Sequence, residues 1–314
     1  MIFNFEKIID KHKNDICVIV GAGPTMNDFD YKNFKGQIIL IGGAILRIDK
    51  KINPNYFISC NSHFPIISVK SHMDVLRAFK NNPTWILSDT CAHSDIWDFD
   101  LEKYKNLSIN CTFFDDRHYE NKLCNPKSKC CKFLDIYPKR KTLIEYVENK
   151  YRHRYNFKEK RGSSVVDCAY MIATLMGFKT ILIQGVDLPE ENYQGKITGK
   201  EYFGAKNKEA DLFEDEEINN LLRKKYFFYY LKELNFKPYF KSFFSKLIKK
   251  ITKKSLFSDN LKVSLNIFQW LTDISINNNI EVFYLSKKSN LKKINNLDFL
   301  SLDELVIRYQ DKFR

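Results

Sequence analysis

The chain has 314 residues, 44% of them apolar, which is enough to bury a sizeable core and excludes a disordered polypeptide. Lys and Arg number 51 against 38 Asp and Glu, a formal net charge of +13 that suits anionic partners such as nucleotides, nucleic acid or acidic lipid. The N-terminal MIFNFEKIIDKHKND mixes charge into its apolar positions and no window of about 18 apolar residues occurs, so neither a signal peptide nor a transmembrane helix is expected.

In chain order, short apolar runs recur: CVIVGAG (17–23), IILIGG (38–43), YFISCN (56–61), WILSDT (85–90), LSINCTFF (107–114), ILIQGVD (181–187) and IEVFYLS (280–286). They are β-branched and bounded by Gly, Asn or Asp, as strands are. Their apolarity is continuous rather than alternating, which predicts strands covered on both faces, as in a parallel sheet. SVVDCAYMIATLMGF (164–178) is predicted as a helix, with Val165, Ala169, Ile172, Ala173 and Met176 on one face and Gly177 ending it. The expected fold is α/β and Rossmann-like, a mostly parallel sheet with helices on both faces. Residues 206–270 read as a helical, basic amphipathic insertion or lid outside the sheet, with 1–205 and 271–314 forming the Rossmann-like domain.

The eight cysteines include a cluster at Cys124, Cys130 and Cys131 whose spacing fits no usual zinc pattern. Cys17, Cys60 and Cys168 lie in apolar runs and read as small core residues. No metal site and no cofactor are expected, and the thiols are expected to be reduced in the cytoplasm.

The stretch ICVIVGAGPTMNDFD (16–30) runs a strand into a glycine-cornered turn. Gly21 and Gly23 would let backbone N–H groups approach an anion, Pro24 fixes the turn, and Thr25 adds a hydroxyl. The turn is neither GxGxxG nor a P-loop. In an open α/β sheet, ligands sit beyond the carboxyl ends of the strands. The polar residues there are Thr25, Asn61, Ser62, His63, Asp89, Asp115, Asp116 and Asp187, joined by Arg161, Ser163 and Ser164 at the start of the 164–178 helix. Each taken singly also reads as an ordinary strand-end turn or helix cap.

GAGPT, YFISCNSHF and the block RGSSVVDCAYMIATLMGFKTILIQGVDL resemble, in order and spacing, the bacterial sialyltransferases of glycosyltransferase family 42 and the related motility-accessory-factor (Maf-like) proteins. The tail IEVFYLSKKSNLKKINNLDFLSLDEL is similar to the family's closing strand, Ser-rich turn and short helix. The resemblance implies a variant of the glycosyltransferase A fold. It also implies a CMP-activated nonulosonic acid donor, inversion at the anomeric carbon and no catalytic metal. On that basis Gly21, Gly23, Pro24 and Thr25 would line the CMP phosphate and ribose, and Asn61 would meet the nucleotide or sugar. Ser163, Ser164 and Asp187 would hold cytidine and ribose, and Tyr193 and Tyr202 the departing phosphate. Arg161 would add charge to that phosphate.

Two departures stand out. The family's Asn at the end of the second strand is replaced by Gly42-Gly43, and no histidine follows Asp187, where the sialyltransferases place their general base. His63, beside Asn61, is the remaining imidazole suited to that work. A Maf-like enzyme using another nucleotide, such as a pterin pyrophosphokinase, and a non-catalytic nucleotide-binding relative stay open.

FKPYFKSFFSKLIKKITKK (236–254) places Phe240, Phe243, Phe244, Leu247, Ile248 and Ile251 at helical spacing, with Lys246, Lys249, Lys250 and Lys253 among its lysines and no acid. Such a helix suits an anionic bilayer surface. Its aromatics share the apolar stripe instead of forming a stacking platform, which argues against nucleic acid. The expected partners are therefore a CMP-nonulosonate donor, a glycan or glycolipid acceptor such as a lipooligosaccharide or capsule precursor, and the inner-membrane surface, with homo-oligomerisation left open.

Overall fold

The computed structural model describes residues 3–42, 44, 48–49, 52–59, 83–88, 110–114, 141–156, 165–186, 256–287 and 289–313. Its strands are β1 (Ile16–Val20), β2 (Gln37–Ile41), β3 (Tyr56–Ser59), β4 (Thr84–Ser88), β5 (Cys111–Phe114), β6 (Thr180–Gln184), β7 (Glu281–Tyr284) and β8 (Asp298–Phe299). Its α-helices are α1 (Leu143–Tyr151), α2 (Val165–Met176), α3 (Leu256–Asn277) and α4 (Leu302–Arg308).

The strands form one eight-stranded sheet in the order β5-β4-β3-β2-β1-β6-β7-β8. Every pairing is parallel, so all carboxyl ends lie along one edge. The chain builds outward from β1 through β2 to β5, then returns to the other side of β1 for β6 and continues to β8. The order reverses between β1 and β6, and that boundary is the topological switch point.

Continuous apolarity in β1 has the consequence expected of it. Cys17 and Ile19 face a layer shared with Ile39, Ile58, Ile181 and Ile183, while Ile16, Val18 and Val20 face the opposite layer with Leu40, Phe57 and Leu182. The first layer is covered by α1, α2 and α3, the second by the turn after β1 and by α4. Helices therefore lie on both faces, and the sheet is wholly parallel. Cys17, Cys111 and Cys168 are buried in this core. The β5 edge is capped by the N-terminal segment, where Phe3 N donates to Cys111 O at 3.0 Å and Phe5 packs on Phe114.

α2 differs from its predicted form. The sequence pattern implies one apolar stripe, but every residue from Val166 to Met176 is buried and Val165 is half-buried. The helix is walled in by the sheet below, α1 on one flank and α3 on the other. Burying each of its larger aliphatic side chains contributes on the order of 1.5–3 kcal/mol. It ends as expected at Gly177, whose φ of +84° is left-handed. Lys150 Nζ donates to Leu175 O at 2.9 Å and Tyr151 OH to Thr174 O at 2.7 Å, so α1 supplies the donors for the last carbonyls of α2.

The insertion boundary drawn at 270/271 falls inside α3, which runs unbroken from Leu256 to Asn277. Ile267, Phe268, Trp270 and Leu271 belong to the same core layer as α2, so a buried face continues across the boundary. Residues 206–255 lie outside the described residues.

Candidate functional site

β1 and β6 do not part where their strands end. Gly21 N donates to Gln184 O and Gly23 N to Gly185 O, each at 2.8 Å, which carries the pairing on to Gly23 and Gly185. The approach is close enough to require glycine on both sides. A Cβ on Gly21 would lie 2.4 Å from Gly185 O, and one on Gly185 2.4 Å from Gly21 O. Gly185 also holds a φ of +64°. The structure does not leave these glycine amides facing an anion, as the sequence pattern predicts. The N–H groups of Gly21 and Gly23 are committed to β6, so donors for an anion must come from elsewhere on the rim.

The two chains then diverge. Residues Pro24–Asp28 turn away as a 3-10 helix capped by Gly23, with Pro24 in its first turn, where a missing N–H costs nothing. Met26 N donates to Gly23 O at 3.0 Å, and Tyr31 OH returns to Met26 O at 2.6 Å. Burial drives the Tyr31 hydroxyl far above its ordinary range, so it stays a donor. Thr25 is half-buried, and Gln184 Nε2 donates to its carbonyl, tying this lip to β6.

The opposite lip is the turn after β7. Ser289 Oγ donates to Val186 O at 2.5 Å, and Leu291 N donates to Ser289 Oγ at 3.2 Å. Ser289 and Asn290 are each 1% exposed. On the helical face, a Cβ at Gly42 would lie 3.7 Å from Val165 Cγ1, so the end of β2 meets the start of α2. Gly42 itself has a φ of +49°, a backbone that glycine enters freely and asparagine tolerates.

The rim thus brings together Gly21–Thr25, Gly42, Val165 and Gly185–Val186. Asn61, His63, Arg161, Ser163, Ser164, Asp187, Tyr193 and Tyr202 lie outside the described residues, as do Lys246, Lys249, Lys250 and Lys253. Their described chain neighbours on this edge are Ser59, Val165 and Val186. Sequence reasoning did not single out Gln184 and Ser289. Gln184 was visible as the one polar residue of ILIQ, and its Oε1 is buried without a hydrogen-bond partner among the described residues. Ser289 was visible only as part of a Ser-rich turn. Among the described residues no three His, Cys, Asp or Glu side chains gather as a metal site.

No protein-family model and no curated protein matches the chain. Solved structures do. The sialyltransferase CstII from Campylobacter jejuni, in complex with the substrate analogue cytidine-5'-monophosphate, is 13% identical over 92% of this chain and 86% of its own, with a TM-score of 0.46. The monofunctional alpha-2,3-sialyltransferase Cst-I from the same organism is 15% identical over 90% of this chain and 80% of its own, with a TM-score of 0.43. The sialyltransferase CST-II with trisaccharide acceptor and CMP is 15% identical over 90% and 85%, with a TM-score of 0.42. Likeness of that degree assigns no activity to this chain.

Proposed function

We propose that this protein is an inverting, metal-independent glycosyltransferase that moves a nonulosonic, sialic-acid-like sugar from a CMP-activated donor to a cell-envelope glycan. The observation that carries the reading is the meeting of two sequence-distant motifs at the switch point. The GAGPT turn and the Gly185–Val186 end of β6, which leads into Asp187, are hydrogen-bonded to one another at 2.8 Å. Both belong to the pattern that resembles family 42, and ligands of open α/β sheets bind where the strand order reverses.

Loss of CMP from a nonulosonate develops oxocarbenium character on the sugar and negative charge on the departing phosphate. In this reading Arg161, Tyr193 and Tyr202 stabilise that charge, and Thr25, Asn61, Ser163, Ser164 and Asp187 hold the nucleotide. His63 deprotonates the acceptor hydroxyl. The basic segment 236–254 brings the enzyme to an anionic membrane surface where a lipid-linked acceptor resides.

The test is ligand stabilisation. CMP and CDP without metal are expected to raise the melting temperature, by mass action on the folded state. Stabilisation by ATP with magnesium alone would turn the assignment to a Maf-like, pyrophosphokinase-type enzyme. CMP binding with neither donor hydrolysis nor transfer would leave a non-catalytic nucleotide-binding protein. Thr25→Ala and Asn61→Ala are expected to weaken CMP binding while the fold persists, and unchanged affinity in both would remove the assigned pocket.

A further inference from the structure

Ser289 sits in the turn between β7 and β8, far in sequence from every residue assigned to the nucleotide. Its hydroxyl is nonetheless buried against the end of β6. It donates to Val186 O at 2.5 Å and accepts from Leu291 N at 3.2 Å, so its donor and one acceptor position are both used. The same hydroxyl caps the short 3-10 helix Asn290–Lys293, and the Ser289 backbone is held independently of β6, its N–H donating to Ser286 O at 3.0 Å and its carbonyl accepting from Lys292 N at 3.4 Å. Among the described residues, backbone ladder bonds hold the β6 end as far as Gly185, whose carbonyl receives Gly23 N. One residue later the carbonyl of Val186 is held by this side chain. That carbonyl belongs to the planar peptide unit that follows Val186, so holding the oxygen restrains the orientation of that unit.

We infer that Ser289 is a positioning residue for nucleotide binding, acting through the Val186–Asp187 peptide. The inference rests on the nucleotide-binding reading above and adds a residue that the resemblance does not assign. A residue that merely stabilised the fold would lower the melting temperature without discriminating between ligand-binding variants. A positioning residue is coupled to the group it positions.

The experiment is calorimetric titration of the full chain with CMP, alongside thermal unfolding. Ser289→Ala is expected to weaken CMP binding roughly five- to tenfold, the scale of one buried hydrogen bond. Ser289→Thr, which keeps the hydroxyl, should restore most of the affinity. In the Asp187→Ala background, Ser289→Ala should cost little further affinity. Thr142→Ala, which removes a serine-like cap from α1 on another part of the molecule, should lower the melting temperature and leave CMP affinity where it was. Ser289→Cys, of similar size and a weaker donor, gives an intermediate loss and serves if the alanine variant does not fold. Unchanged affinity in folded Ser289→Ala or Ser289→Cys, or losses that simply add to those of Asp187→Ala, would overturn the inference. Wild-type protein that binds no CMP, or Asp187→Ala that binds as tightly as wild type, would instead overturn the nucleotide pocket, and the role of Ser289 with it.

Discussion

Gly21 and Gly185 lie so close that each backbone occupies the space a side chain on the other would need. Alanine at either position puts a methyl group 2.4 Å from a backbone carbonyl oxygen of the facing strand end. Gly185→Ala carries the extra cost of a φ of +64°, about 1–2 kcal/mol. The overpacking itself costs about 1–3 kcal/mol. Denaturant unfolding should therefore rank Gly185→Ala below Gly21→Ala, and both below wild type. GAGPT was legible as a turn and GVD as the end of a strand run, but their mutual contact was not, because a pairing of remote glycines leaves no local pattern.

At the opposite edge of the sheet, His12 stacks on Phe178 at 4.8 Å, and its Nε2 lies 2.6 Å from Tyr56 OH. Burial holds this imidazole below its ordinary 6.5, against the pull of Asp15 and with the help of Lys11. Burial likewise pushes the Tyr56 hydroxyl up to about 12. A lowered folded-state value means that the unfolded chain binds the proton more readily. The contribution of His12 is therefore complete above 6.5 and is lost as pH falls below it. The unfolding midpoint should drop between about pH 7.5 and about pH 5.5 by less in His12→Gln than in wild type.

Elements follow from local chemistry where a local signal exists. The sequence T-L-I-E contains the capping box that starts α1, with Glu145 N donating to Thr142 Oγ1 at 3.2 Å and Thr142 N to Glu145 Oε2 at 2.6 Å. That helix was left out of the sequence reading, although its cap was present. α4 begins the same way, from Ser301 and Glu304. The two-residue β8 offers no periodicity to read and forms only because β7 presents an open edge.

The α2–α3 contact is of another kind. Ser264 Oγ donates to Asp167 Oδ2 at 3.0 Å, and Tyr170 OH meets Ser275 Oγ at 3.1 Å, all four residues being buried. Ser264→Ala removes a donor from a buried carboxylate and should cost about 1–3 kcal/mol in chemical denaturation. A loss within error of zero would mean that other donors suffice for Asp167. A buried Asp in a predicted amphipathic helix reads as a solvent-facing residue, which is why α2 looked one-sided until α3 was in place.

For the molecule as a whole, the net charge of +13 is the property most open to direct test. Wild-type protein should pellet with anionic liposomes at low salt, and the combined Lys246, Lys249, Lys250 and Lys253→Glu variant should not. Each lysine near the surface contributes about 1 kcal/mol. Wild-type protein that stays in the supernatant would end the membrane proposal.

The sequence by itself determined the strands β1 to β7, their two-sided burial, the parallel class of the sheet and the glycine corner after β1. All of these follow from residue type and spacing along a short stretch. The tertiary structure alone decided that β6 returns beside β1, that the N–H groups of Gly21 and Gly23 serve this ladder, and that Gln184 and Ser289 hold the two lips of the rim. Those outcomes depend on which distant segments become neighbours. Loop closure and packing select that pairing over the whole chain, and no window of residues encodes it.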